Sequence, residues 1–391
     1  MTGAAGCAWA QAPSNLDLGG PDARARISAH VFYTDNYYYE PTAPEAAWGT
    51  VLRPELVFIA ETGKTALHLT GWGEYGHFDI EGPITNYFDG YGGARLLLVP
   101  TARNRLTVDA SWQHGHDPFG LARTEGTAVG SEREQDEWDH RGGGLRYRYG
   151  APAAKVNAEL GVAVAEREYL TNELETRFLD FQTVTLDYGL SYNIGPKTAL
   201  VANFTRTDTE FDVPFDTNPF GADVDDRSGP TYQVRAGVRW LATAKTSGDV
   251  QAGYRQRHFD AGSDNLEGFD WQAGVRWSPV ATTLIDIRTA RSEQQSYRSD
   301  ARVIDVRSAT LSLRRAVGTR TTIIASGGRT DADFIGSGRE DRVDDAALGL
   351  EYRALSYLFV VGNVGVNNRV SNLADRSYDR LNAFFGVRLG R

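Results

Sequence analysis

The segment His114-Gly115-His116-Asp117 sets two imidazoles one residue apart. On a strand, residues i and i+2 share a face, so both rings would point the same way. A tightly held metal needs a third or fourth ligand, and none is placed to supply it. Solvated residues at a strand end are therefore the expectation. Asp223, Asp225 and Asp226 gather acidic oxygens, but without the glycine and closing glutamate of a calcium loop. The seven histidines are scattered, and no nucleophile has a base beside it, so no enzyme is expected. No glycine-rich phosphate loop precedes a helix. Cys7 is the only cysteine, which excludes an intrachain disulfide and a multi-cysteine metal site. Neither a metal nor a cofactor is expected.

Charge narrows the class further. The 391 residues carry 41 Lys+Arg against 51 Asp+Glu, a formal net charge of -10. There is no basic run, so nucleic acid is not an expected partner. The only lysines are Lys64, Lys155, Lys197 and Lys245. Mean hydropathy is -0.41, yet Trp, Tyr and Phe number 8, 18 and 17, too aromatic for a disordered chain. No apolar run reaches 18 residues, so no transmembrane helix is expected; transmembrane strands remain open, because their signal is alternation. At the start, Ala10-Gln11-Ala12 resembles a signal-peptidase site. Residues 1–12 are expected to be the tail of a signal peptide that begins upstream, with 13–23 a periplasmic tail and 24–391 one barrel domain. Cys7 lacks the Leu of a lipoprotein signal, since Ala4 stands there.

The positioning elements follow from period two. Val184, Leu186, Tyr188, Leu190, Tyr192 and Ile194 alternate with Thr185, Asp187, Gly189, Ser191 and Asn193. The same holds for 156–164, 232–240, 271–278 and 381–390. Such alternation makes strands with one apolar and one polar face. The pattern predicts 18 strands, at about 24–39, 49–61, 64–79, 87–100, 103–117, 136–150, 154–169, 178–194, 197–211, 229–242, 247–260, 267–279, 282–296, 302–316, 319–334, 341–354, 357–371 and 377–390. Eight connections are short and carry turn residues such as Thr62-Gly63 and Gly195-Pro196. The nine others read as longer and more polar, the longest near 117–135 and 212–228. Long strands, an even number and an alternation of short turns with long loops predict an all-β fold. It is a single closed antiparallel up-and-down transmembrane barrel of about 18 strands, with both termini on the short-turn side.

A charge facing lipid at mid-bilayer costs about 2–4 kcal/mol. The polar phase must therefore face a lumen. That assigns Arg146, Arg148, Asp187, Arg235, Arg239, Arg255, Arg257, Arg276, Glu351, Arg353 and Arg388 to the pore wall. Aromatic residues near strand ends, Tyr37, Trp72, Tyr147, Trp240 and Trp277 among them, are expected to form interfacial girdles. An 18-stranded barrel encloses an aqueous channel unless something plugs it.

Four stretches resemble a known family: Tyr33-Thr34-Asp35-Asn36-Tyr37, Leu52-Arg53-Pro54-Glu55-Leu56, Glu74-Tyr75-Gly76-His77-Phe78 and Asn86-Tyr87-Phe88-Asp89-Gly90-Tyr91. The chain resembles the type 2 β-barrel porins associated with capsule and exopolysaccharide export in Gram-negative bacteria. The motifs cover residues 30–100, and the architecture covers the whole chain. One departure is the ending, Val387-Arg388-Leu389-Gly390-Arg391, where such barrels usually end on an aromatic residue. The resemblance implies an outer-membrane location with periplasmic termini, contact with lipid and lipopolysaccharide, and passive exit of a polysaccharide. It also implies a periplasmic polysaccharide export protein as partner. A general or anion-preferring diffusion porin is the first alternative, and a structural or adhesive barrel with ligand-binding loops is the second.

Overall fold

The computed structural model describes residues 21–80, 85–126, 134–213, 227–243, 245–260, 265–298 and 300–390. Cys7, the Ala10–Ala12 pattern and Asp223, Asp225 and Asp226 lie outside the described residues. The first nine strands are β1 (Asp22–Thr34), β2 (Ala47–Thr62), β3 (Thr65–Asp79), β4 (Tyr87–Thr101), β5 (Asn104–Asp117), β6 (Asp136–Tyr149), β7 (Val156–Tyr169), β8 (Phe181–Gly195) and β9 (Thr198–Phe211). The second nine are β10 (Gly229–Thr243), β11 (Thr246–Arg257), β12 (Leu266–Trp277), β13 (Thr283–Gln295), β14 (Val303–Val317), β15 (Thr321–Ile335), β16 (Arg339–Arg353), β17 (Leu358–Ser371) and β18 (Tyr378–Gly390). Each pairs antiparallel with its sequence neighbours, and β18 pairs with β1 from Arg26↔Gly390 to Thr34↔Asn382. The sheet closes on itself, as a strand protein in hydrocarbon requires.

Strand by strand, the alternation decides which face looks out. On β16, Leu348, Leu350 and Tyr352 are exposed, and on β8 so are Val184, Tyr188, Leu190, Tyr192 and Ile194. Their neighbours in sequence point to the other side. That other side is the concave one, because its side chains meet across an intervening strand. Asn203 on β9 donates to Gln251 on β11 at 2.5 Å, and Arg388 on β18 donates to Glu351 on β16 at 2.9 Å. Only curvature toward those residues brings next-nearest strands so close.

The start of β1 and the end of β18 lie on the short-turn side, since Asp22 pairs with Ile59 beside the β2–β3 turn and Gly390 with Arg26. Two details depart from the sequence expectation. β1 stops at Thr34 rather than near residue 39, so Tyr37, Tyr38 and Tyr39 belong to a loop. The β15–β16 connection, expected among the long ones, is only Gly336 to Gly338. Both glycines have positive φ, +102 and +69, which closes a reversal there without a Cβ penalty. One ladder is short: β12 and β13 pair only from Gln272↔Ala290 to Trp277↔Ile285. Toward the long loops these two strands part. Arg291 spans the gap, donating to Asp305 on β14 at 2.8 Å and to the Phe269 carbonyl on β12 at 2.6 Å.

Candidate functional site: the lumen and its mouth

All eleven residues assigned from sequence to the pore wall lie on the face opposite the exposed apolar side chains. Arg146 and Arg148 alternate with exposed Leu145, Tyr147 and Tyr149, and Arg388 stands between exposed Val387 and Leu389. Arg276, Glu351 and Arg353 follow the same phase beside Trp277 and Tyr352. Most of these guanidiniums are matched by carboxylates. Arg148 donates to Glu159 at 2.8 Å, and Arg146 lies 3.2 Å from Glu159 and 3.8 Å from Asp187. Arg239 meets Asp249 at 3.1 Å, and Arg276 meets Asp286 at 3.3 Å. Arg235 and Arg255 both bond the carboxylate of Asp270, which is fully buried. Gly253 lies on the strand between Arg235 and Asp270, where an added Cβ would collide with the Val234 carbonyl of β10. Arg257 donates to the Arg227 carbonyl at 2.7 Å, and Arg353 to the Thr319 carbonyl at 2.6 Å. The wall is thus an ion-pair mesh rather than a row of open positive charge.

The aromatic girdle needs two corrections. Tyr147 and Trp277 are exposed on the outer face, and Trp240 shares the phase of exposed Val234 and Val238. Trp72 points into the lumen: it pairs with Glu55 on the inward phase of β2, and the Arg53 guanidinium lies 4.1 Å from its ring centroid. It also stacks with Tyr91 at 6.3 Å. Tyr37 is buried against Tyr38, Ala47 and Phe119, because the chain has already left β1 at that point. Position near a strand end gave both away as aromatic anchors, but phase for Trp72 and the loop for Tyr37 decided otherwise. The inner wall of β2–β4 therefore carries Arg53, Trp72, Glu74, Tyr87 and Tyr91, with Tyr87 donating to Glu74 at 2.9 Å.

His114 and His116 do not converge on one ligand. His114 Nδ1 is 2.9 Å from Asp139, and His116 Nδ1 is 2.8 Å from Asp89. Among the described residues no three His, Cys, Asp or Glu are grouped to hold a metal.

The long-loop mouth contains what the sequence did not reveal. From the end of β5 the chain runs through a short helical turn, Ala122–Thr124, to Glu125. Glu125 is received by residues of β16 and β17. On the shorter way round, β4, β3, β2, β1, β18 and β17 separate β5 from β16. Arg339 donates to both Glu125 oxygens at 2.7 and 2.8 Å, and Arg369 bonds the same carboxylate. Asp341 completes the set, accepting from Arg339 at 2.9 Å and from Arg369 at 3.0 Å. Two positive and two negative groups, all at most 5% exposed in their side chains, thus balance in a site closed to water. Tyr297, from the β13–β14 loop, donates to Glu125 at 3.4 Å and packs edge-on against Phe334 of β15. It also rests on the cluster Trp138, Tyr169, Phe178 and Leu179 from β6, β7 and the β7–β8 loop. Buried Arg227 ties that loop to the β13–β14 loop through the carbonyls of Phe178, at 2.5 Å, and Ser296. Described loops from well-separated parts of the ring therefore meet across the mouth. Arg339 and Arg369 lie on the same inward phase as the other arginines, which sequence could have shown. Glu125 sits in an aperiodic loop and gave no signal.

One loop carboxyl makes this packing pH-dependent. Burial, then neighbouring Asp212, Glu168 and Glu173, pushes Asp180 up to about 6, although the Tyr169 amide donates to it at 2.7 Å. The unfolded value is about 3.9. Protonation therefore favours the packed loop, fully below about pH 4, and the advantage is lost as pH rises through about 6. Amide exchange in residues 170–180, corrected for intrinsic rates, is expected to be slower at pH 5 than at pH 7.5. Asp180→Asn should flatten that difference.

Comparison with known proteins agrees with the architecture. A family model described as "Putative beta-barrel porin 2" matches residues 19–391. No curated protein matches the chain. Among solved structures, the FrpB iron transporter of Neisseria meningitidis aligns at 8% identity and TM-score 0.47, over 95% of this chain and 81% of that one. OpdK of Pseudomonas aeruginosa aligns at 12% and 0.47, over 95% and 99%. The copper transporter OprC aligns at 12% and 0.48, over 93% of this chain but only 63% of its own.

Proposed function

The chain belongs to the Putative beta-barrel porin 2 family, and from that premise we propose that this outer-membrane barrel is a passive exit channel for a polysaccharide. The observation that carries the reading is the inner wall of β2–β4, where Trp72 and Tyr91 lie beside Arg53 and Glu74. Aromatic rings and paired charges contact sugars weakly and at many points, and conduction needs weak, repeated binding. The orientation places short turns and termini in the periplasm. It is supported by outward charges that gather at the long-loop ends, such as Arg141 with Glu166 and Glu168, and Arg329 with Asp344. Such a belt suits the charged headgroups of lipopolysaccharide. A periplasmic export protein would deliver the polymer to the short-turn mouth.

Deletion of the gene is the direct test. Surface polysaccharide is expected to fall while polymer accumulates in the periplasm. Normal display in the deletion strain would remove the export reading and leave a diffusion porin. The packed loops at the mouth favour a second reading, an adhesive barrel. Planar-bilayer recordings with no conductance under any loop deletion would select it.

A further inference from the structure

The eight short turns are not chemically neutral. Their last residues are Lys64, Arg103, Lys155, Lys197, Lys245 and Arg320, with only Thr282 and Tyr357 uncharged. No Asp or Glu occupies any of the eight turns, in a chain whose net charge is -10. Every lysine in the chain is in this set. Each of the six basic residues is exposed. Each also has its backbone fixed at the rim, because its carbonyl accepts a ladder hydrogen bond: Val99 to Lys64 at 2.7 Å, Gly150 to Arg103 at 2.7 Å, Asn193 to Lys155 at 2.8 Å and Leu241 to Lys197 at 2.7 Å, with Ser278 to Lys245 and Arg353 to Arg320 also at 2.7 Å. The six basic residues are therefore held around one circular edge.

Just inside the rim, cations outnumber carboxylates in a cavity of the wall, although part of their charge is paired. This cavity of about 590 Å³ is lined by Arg105, Arg148, Lys197 and Arg239 against a single carboxylate, Glu159, with Asn157 and Asn203. Arg105 stands directly opposite Arg148 across the β5–β6 ladder. Like charges so placed repel, and Glu159 offsets that repulsion only on the Arg148 side. Arg105 Nε, moreover, is buried without a hydrogen-bond partner among the described residues. A ring of charge above a low-dielectric wall focuses its field into the opening. Continuity from rim to lumen fits a threaded chain better than a protein docked on the rim alone.

We propose that the short-turn mouth is a capture site for polyanions, so that the channel takes an acidic, carboxylate-bearing saccharide chain in preference to a neutral one. The proposal rests on the export reading, and names its substrate class. Binding of a fluorescent oligogalacturonate to the detergent-purified full chain tests it without requiring conductance. At 50 mM salt, replacing the four lysines together (Lys64→Gln, Lys155→Gln, Lys197→Gln and Lys245→Gln) is expected to weaken binding on the order of tenfold. The loss should vanish at 500 mM salt, where the field is screened within a few ångströms. The matching Lys→Arg protein should bind like the parent, which separates charge from damage to the turns. A neutral malto-oligosaccharide of equal length should show no difference between the proteins. Equal oligogalacturonate binding by parent and Gln variant would overturn the proposal, as would equal binding of the neutral sugar. Either result leaves the export reading to its own genetic test.

Discussion

Glu125→Ala is expected to release the long-loop mouth. The substitution removes one of two carboxylates from a buried set and leaves Arg339 and Arg369 sharing Asp341 alone. Removing one partner of a buried ion pair typically costs about 3–5 kcal/mol, because the remaining charge is left uncompensated. Here the loss has an outlet short of unfolding. The strands that carry Arg339 and Arg369 stay in their ladders, whereas Glu125 reaches the far wall through Arg339, Arg369 and the Tyr297 hydroxyl, and the substitution removes all three contacts. The loop should therefore leave the mouth, and water should reach the two guanidiniums. Single-channel recordings should show longer and larger openings, and amide exchange should rise in residues 118–126 but not in β16 or β17. Unchanged conductance together with unchanged exchange would mean that the Glu125 contact does not hold the loop in place.

That contact marks the boundary of what the chain's order of residues discloses. Period two placed all 18 strands, because the bilayer demands an apolar outer phase and every guanidinium on the other phase is pushed inward. The same rule extends to Arg339 and Arg369, which share the inward phase of Glu351 and alternate with exposed Val366 and Val370. It stops at loops. Glu125, Arg227 and Tyr297 obey no period, and their partners lie far away in sequence. Only the closed ring brings a glutamate after β5 to arginines on β16 and β17. Trp72 shows a second limit. An aromatic residue in a strand is favoured on either face, so position near a strand end pointed to the lipid interface, while register with Glu55 and the stacked Arg53 put it inside. The pairing of the lumen arginines was hidden for a related reason. Arg235 and Asp270 sit on strands that are not neighbours, and the intervening Gly253 carries no side chain to betray their meeting.

A pair of adjacent substitutions separates hydrocarbon from water directly. Leu348 lies mid-strand on β16, is 60% exposed and pairs with Ala325 and Val364. Ala347 beside it faces the lumen, opposite Ser326 and Gly365. Leu348→Arg puts a guanidinium into the bilayer core, and the cost is about 2–4 kcal/mol, greatest at the midplane. Ala347→Arg adds the same group and a larger side chain on the wet face, where the change should stay within about 1 kcal/mol. Reversible denaturant unfolding in phospholipid vesicles measures both. The asymmetry is the informative quantity, since the two positions share strand, depth and substituent and occupy opposite sides of the sheet, with the larger change in side-chain size falling on the wet side. In a soluble sandwich the ranking would fail, because an exposed leucine on a watered face would accept arginine at little cost. Equal losses at the two positions, or a larger one at Ala347, would place water on the face that carries Leu348, Leu350 and Tyr352.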